Sequence, residues 1–582
     1  MAPKSVDLLI VGAGLHGLIM AKTYLEVQPS ATLLVVDESQ SVGGTWARER
    51  LYPGLKTNNV FGSYELSDFP MDASRYGVEG TRHIPGHVVH AYLCDVADHF
   101  GITSRLVLGT KVIATDLLDD GSWRVSLWNI RVDEEDAIVE EIRAAKLVIA
   151  TGLTSKPHIP KIPGSETFGG LILHSKQLKE QAQQLAENNT VVVVGGNKSA
   201  WDVCYTAARA GSQVHMVIRP SGGGPSYLWP RRFSLGPFEV SLAKLSTMRL
   251  FTMFDPAVAV ASRGPFSWAG KFLHRTSLGQ RICHWFWIYL DRAVRKINGY
   301  HTHSELQKLE PWTTPFWMGN SLSIHNYETS WFDLVREGKI HVHTTDLESL
   351  SSKKVHLADG VTIDTDALVL CTGWTTDLPV NIDVDRIDTK EEKASTEIVY
   401  ANVPYLPHLA KRTSNAPGIQ GSTDPAGDAK VSDPTFPLLF RDMVPCEERY
   451  LLSKNLAFIG MSVSIHAALV AQAQALWITA FFSDNISHLR ADLNNADIRS
   501  RAILDRVYGQ LRRPRETGGL AGRHADLVFD SLPFVDGLLE DMGIQCMRKG
   551  NWWRELTEPY RLEDYRGLVR EWMALRGIGS RG

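Results

Sequence analysis

Two glycine-rich turns, one followed by an acid and the other by an arginine, carry the first chemistry legible in this sequence. The stretch Leu8-Leu9-Ile10-Val11-Gly12-Ala13-Gly14-Leu15-His16-Gly17-Leu18-Ile19-Met20 sets a G-x-G-x-x-G spacing between two apolar runs. Gly12 permits a tight turn, Gly14 lets a pyrophosphate approach the backbone, and Gly17 lets the following helix pack closely. Phosphates would sit at the helix N-terminus, where free N–H groups and the dipole favour anions. A second apolar run, Thr32-Leu33-Leu34-Val35-Val36, ends at Asp37. An acid at this place accepts the ribose hydroxyls of a dinucleotide. The pattern returns at Thr190-Val191-Val192-Val193-Val194, followed by Gly195-Gly196-Asn197-Lys198-Ser199-Ala200. Here the next strand, Gln213 to Ile218, ends at Arg219. An arginine there accommodates a 2′-phosphate. Lys198 adds a second cation. The sequence therefore predicts two dinucleotide sites of opposite preference.

The elements that must position these turns are strand–turn–helix units. Short apolar runs bounded by turn residues read as buried parallel strands. The spacing of Val88, Val89, Tyr92, Leu93 and Val96 predicts an amphipathic helix over Pro85 to Phe100. Lys111 to Ile149 alternates as short strands around the turn Asp119-Asp120-Gly121. It closes with Val148-Ile149-Ala150-Thr151-Gly152. That ending reads as the chain's return to the first nucleotide sheet. Pro157, Pro160 and Pro163 then mark a linker. Lys339 to His343 resumes the second sheet, and Ala367 to Trp374 ends in Thr372-Gly373, echoing Thr151-Gly152. The fold class expected is α/β, with two Rossmann-like dinucleotide-binding domains and a helical insertion. The expected divisions are 1–155 and 376–582 for the first domain with a C-terminal extension, 156–220 and 332–375 for the second domain, and 221–331 for the insertion. The insertion is dense in aromatics, among them Trp229, Trp268, Trp285, Trp287, Phe316 and Trp317. Such a cluster could line a pocket, dock on a membrane face, or form core.

Composition bounds the function. A chain of 582 residues, 44% apolar and 22% charged, belongs with ordinary soluble globular proteins of several domains. The net charge of -4 and the lack of a long basic run argue against a nucleic-acid partner. Six scattered cysteines without a C-x-x-C pair argue against a disulfide framework, a zinc site and a dithiol redox centre. No metal site is expected. The first strand begins too early for a signal peptide, so the reducing cytosol is the expected compartment. Leu456 to Ser483 is long and uncharged enough to need a membrane check. It reads instead as a strand ending at Gly460, then a buried helix containing Gln472 and Gln474.

Several further motifs carry a family resemblance. Phe168-Gly169-Gly170-Leu171-Ile172-Leu173-His174 fits the pattern F-x-G-x-x-x-H and lies between the two glycine turns. Gly43-Gly44-Thr45-Trp46 follows Asp37, and Ser67-Asp68-Phe69-Pro70 follows the loop containing Thr57 and Asn58. With these motifs the chain resembles the flavin-containing monooxygenases, including their Baeyer–Villiger relatives, and looks closest to fungal-type members. The resemblance covers Val6 to about Pro220 and Lys339 to about Phe482. It implies FAD at the first site, held by Gly12, Gly14, Leu15, His16, Gly17, Asp37, Glu38, Gly44, Thr45, Trp46, Thr57 and Asn58, with Thr151, Gly152, Thr372 and Gly373 also expected to bind cofactor. It implies NADPH at the second, held by Gly195, Gly196, Asn197, Lys198, Ser199 and Arg219. Asn58 matches the family asparagine beside the flavin and is the expected catalytic residue, stabilising a C4a-hydroperoxide. Trp46 would pack on the isoalloxazine. His174 is expected to organise the interdomain linker rather than to transfer protons. The aromatic that normally stands four residues after this histidine is Leu178 here, so the subclass stays open. Oxygenation of nitrogen or sulfur is the main expectation, with Baeyer–Villiger insertion in natural-product tailoring as the alternative. An NADPH-dependent flavin disulfide reductase is a different class, and the missing C-x-x-C argues against it. The partners expected are O2 and a small organic substrate, with membrane contact, if any, through the insertion.

Overall fold

The computed structural model describes residues 4–578 apart from 79, 81, 131–138, 236–237, 258–265, 320–321, 376–381, 407–436, 487–494 and 514–523. Two sheets organise it. The first is built on Lys4–Val11, whose apolar run pairs in parallel with Leu33–Asp37 on one side and Glu140–Ile149 on the other. Leu106–Leu108 extends one edge. Thr110–Leu117 and Trp123–Asn129 add an antiparallel meander at the other. A seventh strand arrives from far along the chain: Leu456–Phe458 pairs in parallel with Glu140–Ile149.

The second sheet is wholly parallel. Its order is Ile340–Thr344, Gln213–Ile218, Thr190–Val194, Ala367–Leu370, Leu171–His174. Its central strands are valine- and leucine-rich and buried, as strands covered on both faces must be. Helix Lys198–Ala210 connects Thr190–Val194 to Gln213–Ile218, as the two glycine turns predict for each domain.

The stretch from Leu456 to Ser483 is not a membrane span. It divides into the strand Leu456–Phe458 and the helix Ala467–Phe482. That helix is buried almost all round, so its apolar run is core. Among the described residues no helix is long and apolar enough to cross a membrane. The C-terminal stretch forms helices Ser531–Asp541 and Leu568–Leu575, whose Leu532, Leu538 and Trp572 are fully buried in the same core.

The insertion is mainly helical. Its longest element, Ser277–Asn298, has 22 residues and is capped by Thr276, whose hydroxyl accepts the Gly279 N–H. A pair of short parallel strands, Tyr227–Trp229 and Leu322–Ile324, closes its two ends together. Asp255, on the insertion, accepts the Tyr508 hydroxyl at 3.0 Å and Arg512 Nη2 at 2.8 Å. This buried ion pair fixes the insertion to the C-terminal helix Asn495–Arg512.

One buried histidine gives the fold a pH dependence. His274 accepts the Tyr405 hydroxyl at Nδ1, 2.7 Å away, and donates from Nε2 to Met253 O at 2.8 Å. Burial pushes its pKa from 6.5 down to about 4. In the unfolded chain it takes up a proton near its ordinary pKa. Between the two values the unfolded state binds the extra proton, so this ring's contribution to stability falls as pH falls. Thermal unfolding midpoints across that window should drop more steeply for the wild type than for His274→Gln. Parallel pH profiles for the two proteins would count against a neutral, buried ring.

Candidate active site

The first glycine turn is held by backbone contacts that leave no room for side chains. Gly12 has φ +116°, and a Cβ there would lie 2.4 Å from Ala150 O. A Cβ on Gly17 would lie 1.9 Å from Gly12 O, so helix Leu15–Val27 rests directly on the turn. Gly14 is different. It caps that helix with extended backbone at φ −76°, and a Cβ there would only touch Gly44 Cα, 3.6 Å away. Packing alone therefore does not require glycine at position 14. The helix has no acid in its first turn, and its N-terminal N–H groups face the gap. The Gly43-Gly44 turn backs onto the first, with Gly43 N–H donating to Ala13 O at 2.9 Å. Two glycine turns from separate segments therefore form one cradle lined by backbone.

Asp37 stands at its rim. Its Oδ2 accepts Ala13 N–H at 2.6 Å and its Oδ1 accepts Ser39 N–H at 2.7 Å. Burial pushes its pKa up, and these two bonds oppose the shift. Each oxygen keeps a lone pair for a hydroxyl. Glu38 is exposed, 3.8 Å from Lys176 Nζ. Leu15 is buried under the turn. His16 packs its ring on Gly460, where a Cβ would come within 2.7 Å of it, and burial pushes its pKa down to about 4. It is a neutral wall of the cradle.

The strand Lys56–Val60 sorts its side chains by alternation. Thr57 and Asn59 are buried on one face. The Thr57 hydroxyl donates to Asn59 O at 2.6 Å and accepts Ile84 N–H at 3.1 Å. Asn59 Nδ2 donates to Ile465 O at 2.6 Å. Thr57 thus supports the strand with its own hydroxyl satisfied. Asn58 points to the other face, and its buried Oδ1 has no hydrogen-bond partner. The buried Thr151 Oγ1 at the end of the first sheet likewise has none. Each such orphan costs about 1–3 kcal/mol unless something bonds it. Beside Thr151, Gly152 has φ +66° and open space where a Cβ would stand. Trp46 Nε1 donates to the Tyr64 hydroxyl at 2.9 Å, which fixes the indole with its ring edge-on to Tyr64. Thr45 is exposed and bonds Thr154 at 3.1 Å.

In the second turn Gly195 has φ +145°, and a Cβ there would meet Cys371 O at 2.5 Å. A Cβ on Gly196 would meet Gly224 O at 2.5 Å, so the insertion's first residues close over this turn. Asn197 caps helix Lys198–Ala210 and is exposed, and Ser199 is half-buried in its first turn. Arg219 is exposed just past the end of Gln213–Ile218. Lys198 is placed otherwise than its neighbours in the motif. Its ammonium pairs with Asp202 one helical turn on and sits 4.8 Å over the Tyr327 ring. Asp202 also accepts the hydroxyls of Tyr327 and Tyr52, each at 2.9 Å. Sequence reasoning missed this carboxylate, although its i, i+4 spacing from Lys198 is a readable signal.

His174 sits where the chain crosses between the two sheets. Its Nδ1 accepts Lys176 N–H at 3.1 Å, which leaves the proton on Nε2, 3.0 Å from Gly373 O. Gly373 O also accepts His158 N–H at 2.9 Å, and the Thr372 hydroxyl bonds His158 O. Burial pushes the His174 pKa down. A neutral ring committed at both nitrogens holds the outgoing and returning linkers together. Phe168 of the same motif is fully buried, and Leu178 fills the second domain's core.

The family profile described as pyridine nucleotide-disulphide oxidoreductase matches residues 9–227. An FAD-dependent monooxygenase of Aspergillus nomiae is 30% identical, over 98% of this chain and 99% of its own. This chain belongs to the FAD-dependent monooxygenase family. Solved members of the fold lie further off. The polycyclic ketone monooxygenase of Thermothelomyces thermophila superposes with a TM-score of 0.56 at 15% identity, covering 92% of this chain and 88% of its own. The S-allyl-L-cysteine S-oxygenase of Allium sativum gives 0.52 at 16%, covering 100% and 96%. The fold thus accommodates monooxygenases of both chemistries. The monooxygenase assignment also agrees with the cysteines, all six of which are free. Among the described residues no group of His, Cys, Asp or Glu is arranged to hold a metal.

Proposed function

We propose that this monooxygenase binds FAD in the first glycine cradle and NADPH at the second turn, and places one atom of O2 on nitrogen or sulfur of a small organic substrate. The observation that carries this reading is two buried polar atoms in the cradle's supporting segments, Asn58 Oδ1 and Thr151 Oγ1, without a hydrogen-bond partner among the described residues. Each calls for a polar ligand atom, and the flavin ring system supplies such atoms. The flavin, once reduced, supplies the oxygen activation. The chain's own residues do the rest. Asp37 holds ribose hydroxyls, the bare Gly14 admits the pyrophosphate, Trp46 walls the ring, and Asn58 offers its amide where oxygen reacts. Oxygen insertion beside a carbonyl develops negative charge that asks for a free cation or donor. Lys198 is paired with Asp202 and is not a free cation for that role. Mass spectrometry of reactions with ¹⁸O2 and NADPH, run on a panel of amines, thioethers and ketones, tests it. One ¹⁸O in an N- or S-oxide is the expected product. Lactones or esters from the ketones alone would move the enzyme to Baeyer–Villiger chemistry.

Arg219 is the exposed cation left to read a 2′-phosphate. Arg219→Ala should raise KM for NADPH far more than for NADH, by the loss of charge-assisted bonds of about 1.5–3 kcal/mol. Steady-state kinetics with both coenzymes measure this. Equal losses for the two would remove Arg219 from the phosphate role.

A further inference from the structure

The aromatic residues of the insertion separate into two sets. Trp229, Trp287, Phe316 and Trp317 are buried, so they are core and not pocket lining. The rest face outward from two packed helices. Trp268 is 69% exposed and Phe272 43% exposed on Ser267–Arg275. On Ser277–Asn298, Leu278, Ile282, Trp285 and Tyr289 are all exposed, with Trp285 at 62%. Their spacing of four, three and four residues puts them in one stripe along the helix. The two helices meet closely because position 279 is glycine. A Cβ there would lie 2.3 Å from Phe272 O.

The charged residues of these two helices are cationic but for one. Lys271 and Arg275 flank Trp268 and Phe272, while Arg281, Arg292 and Lys296 flank the stripe, and all five are exposed. Asp291 is the sole acid from Ser267 to Asn298. It is taken up internally, bonding Arg295 Nε at 2.9 Å and the Tyr227 hydroxyl at 3.0 Å. Neighbouring elements also expose apolar residues. Phe251 of the helix Arg249–Thr252 packs on Phe286 and Trp287, while Leu250 beside it is 44% exposed. Arg249 bonds Glu555 on Trp552–Thr557, a helix that exposes Trp552 and Trp553 by more than 60% each.

Scattered exposed apolar residues need no explanation, but a continuous aromatic face does. Its occupant is indicated by charge. Tryptophan and aliphatic side chains bordered by lysine and arginine, on a helix lying along the surface, suit the boundary between anionic headgroups and acyl chains. A second copy of the same face would set its arginines and lysines against their own kind. We propose that the surface formed by Ser267–Arg275 and Ser277–Asn298 docks the enzyme in the plane of an anionic lipid bilayer. The helices lie on the membrane and do not span it. The aromatic stripe enters the headgroup boundary, and the flanking cations meet the lipid phosphates and carboxylates.

The test is co-sedimentation of the flavin-loaded, full-length enzyme with phosphatidylcholine vesicles, made with and without phosphatidylserine. Binding should rise with phosphatidylserine and weaken with salt. The double variant Trp268→Ser/Trp285→Ser should lower partitioning by roughly tenfold or more, given the apolar area withdrawn. Arg281→Gln/Arg292→Gln should remove the preference for phosphatidylserine. Both pairs are surface residues, so FAD content and NADPH oxidation should stay at wild-type levels. Vesicles carrying brominated acyl chains should quench wild-type tryptophan fluorescence and quench the tryptophan double variant less. Three results would overturn the proposal. One is wild-type enzyme that ignores phosphatidylserine vesicles. Another is a tryptophan variant that binds them as well as wild type. The third is a wild-type dimer in sedimentation velocity that these substitutions dissociate, which would make the face a self-association surface.

Discussion

Asn58→Ala is expected to keep its FAD and its NADPH-driven flavin reduction, while most of the oxygen it consumes leaves as hydrogen peroxide. The expectation follows from where the strand Lys56–Val60 points its side chains. Thr57 and Asn59 are spent on the protein itself, Thr57 on Ile84 and the Asn59 carbonyl and Asn59 on Ile465. Asn58 alone of the three turns to the opposite face, with a buried amide oxygen that none of the described residues satisfies. Truncating it removes no internal bond of that oxygen, so folding and cofactor binding should hardly change. On the proposed reading, what is lost is a preorganised amide at the place where oxygen becomes charged. Removing one such donor costs about 2.7–4 kcal/mol where charge develops. A fraction of that shifts the partition between substrate oxygenation and peroxide release by roughly tenfold. Product, peroxide and NADPH measured in the same reaction give the coupling ratio directly. Tight coupling in Asn58→Ala would remove the residue from oxygen chemistry. Loss of FAD would instead make it a binding residue.

Backbone requirements were the most legible part of this site in the sequence. Glycines at 12, 17 and 195 answer steric limits set by their immediate strand–turn–helix units, and a spacing pattern carries that information locally. The parallel strands of both sheets follow from the same units. Side-chain commitments made across long sequence distances were not legible. Lys198 looks like a phosphate cation within its motif, yet its charge is taken up by Asp202, which Tyr52 and Tyr327 hold in place from about 150 and 125 residues away. Trp285 and Trp287 pose the same difficulty on one helix. Two residues apart, they point about 200° away from each other. Which one is buried depends on Phe529, 5.2 Å from Trp287 and far along the chain. The aromatic density of the insertion therefore left pocket, membrane face and core open, and it divides mainly between core and an exposed face. Leu178 is a milder case. An apolar side chain closes the second core where an aromatic was expected, and its position in that core leaves the chemistry of the subclass untouched.

Two alanine substitutions, three residues apart but opposite in mechanism, should separate a glycine that builds the cradle from one proposed to admit the cofactor. Gly17→Ala places a methyl 1.9 Å from Gly12 O, an overlap with backbone that no rotamer relieves. Helix Leu15–Val27 must lift from the strand, and its buried Leu18, Ile19 and Met20 lift with it. Overpacking of this kind costs roughly 1–3 kcal/mol and sometimes more. The expected result is a lower unfolding midpoint for the apoprotein and the holoprotein alike. Gly14→Ala does none of this. Its backbone, at φ −76°, suits alanine, and the new methyl makes only ordinary contact with Gly44. The methyl stands between the two glycine turns, and on the proposed reading a pyrophosphate has to enter there to reach the helix N–H groups. Lengthening those charge-assisted bonds forfeits about 1.5–3 kcal/mol, a loss of roughly tenfold or more in FAD affinity. Apoprotein stability measured by thermal circular dichroism, and FAD affinity measured by titration of the apoprotein, read the two effects separately. The assignment requires Gly17→Ala to fail on the first axis and Gly14→Ala on the second. A Gly14→Ala protein that binds FAD as tightly as wild type would place the pyrophosphate away from this turn.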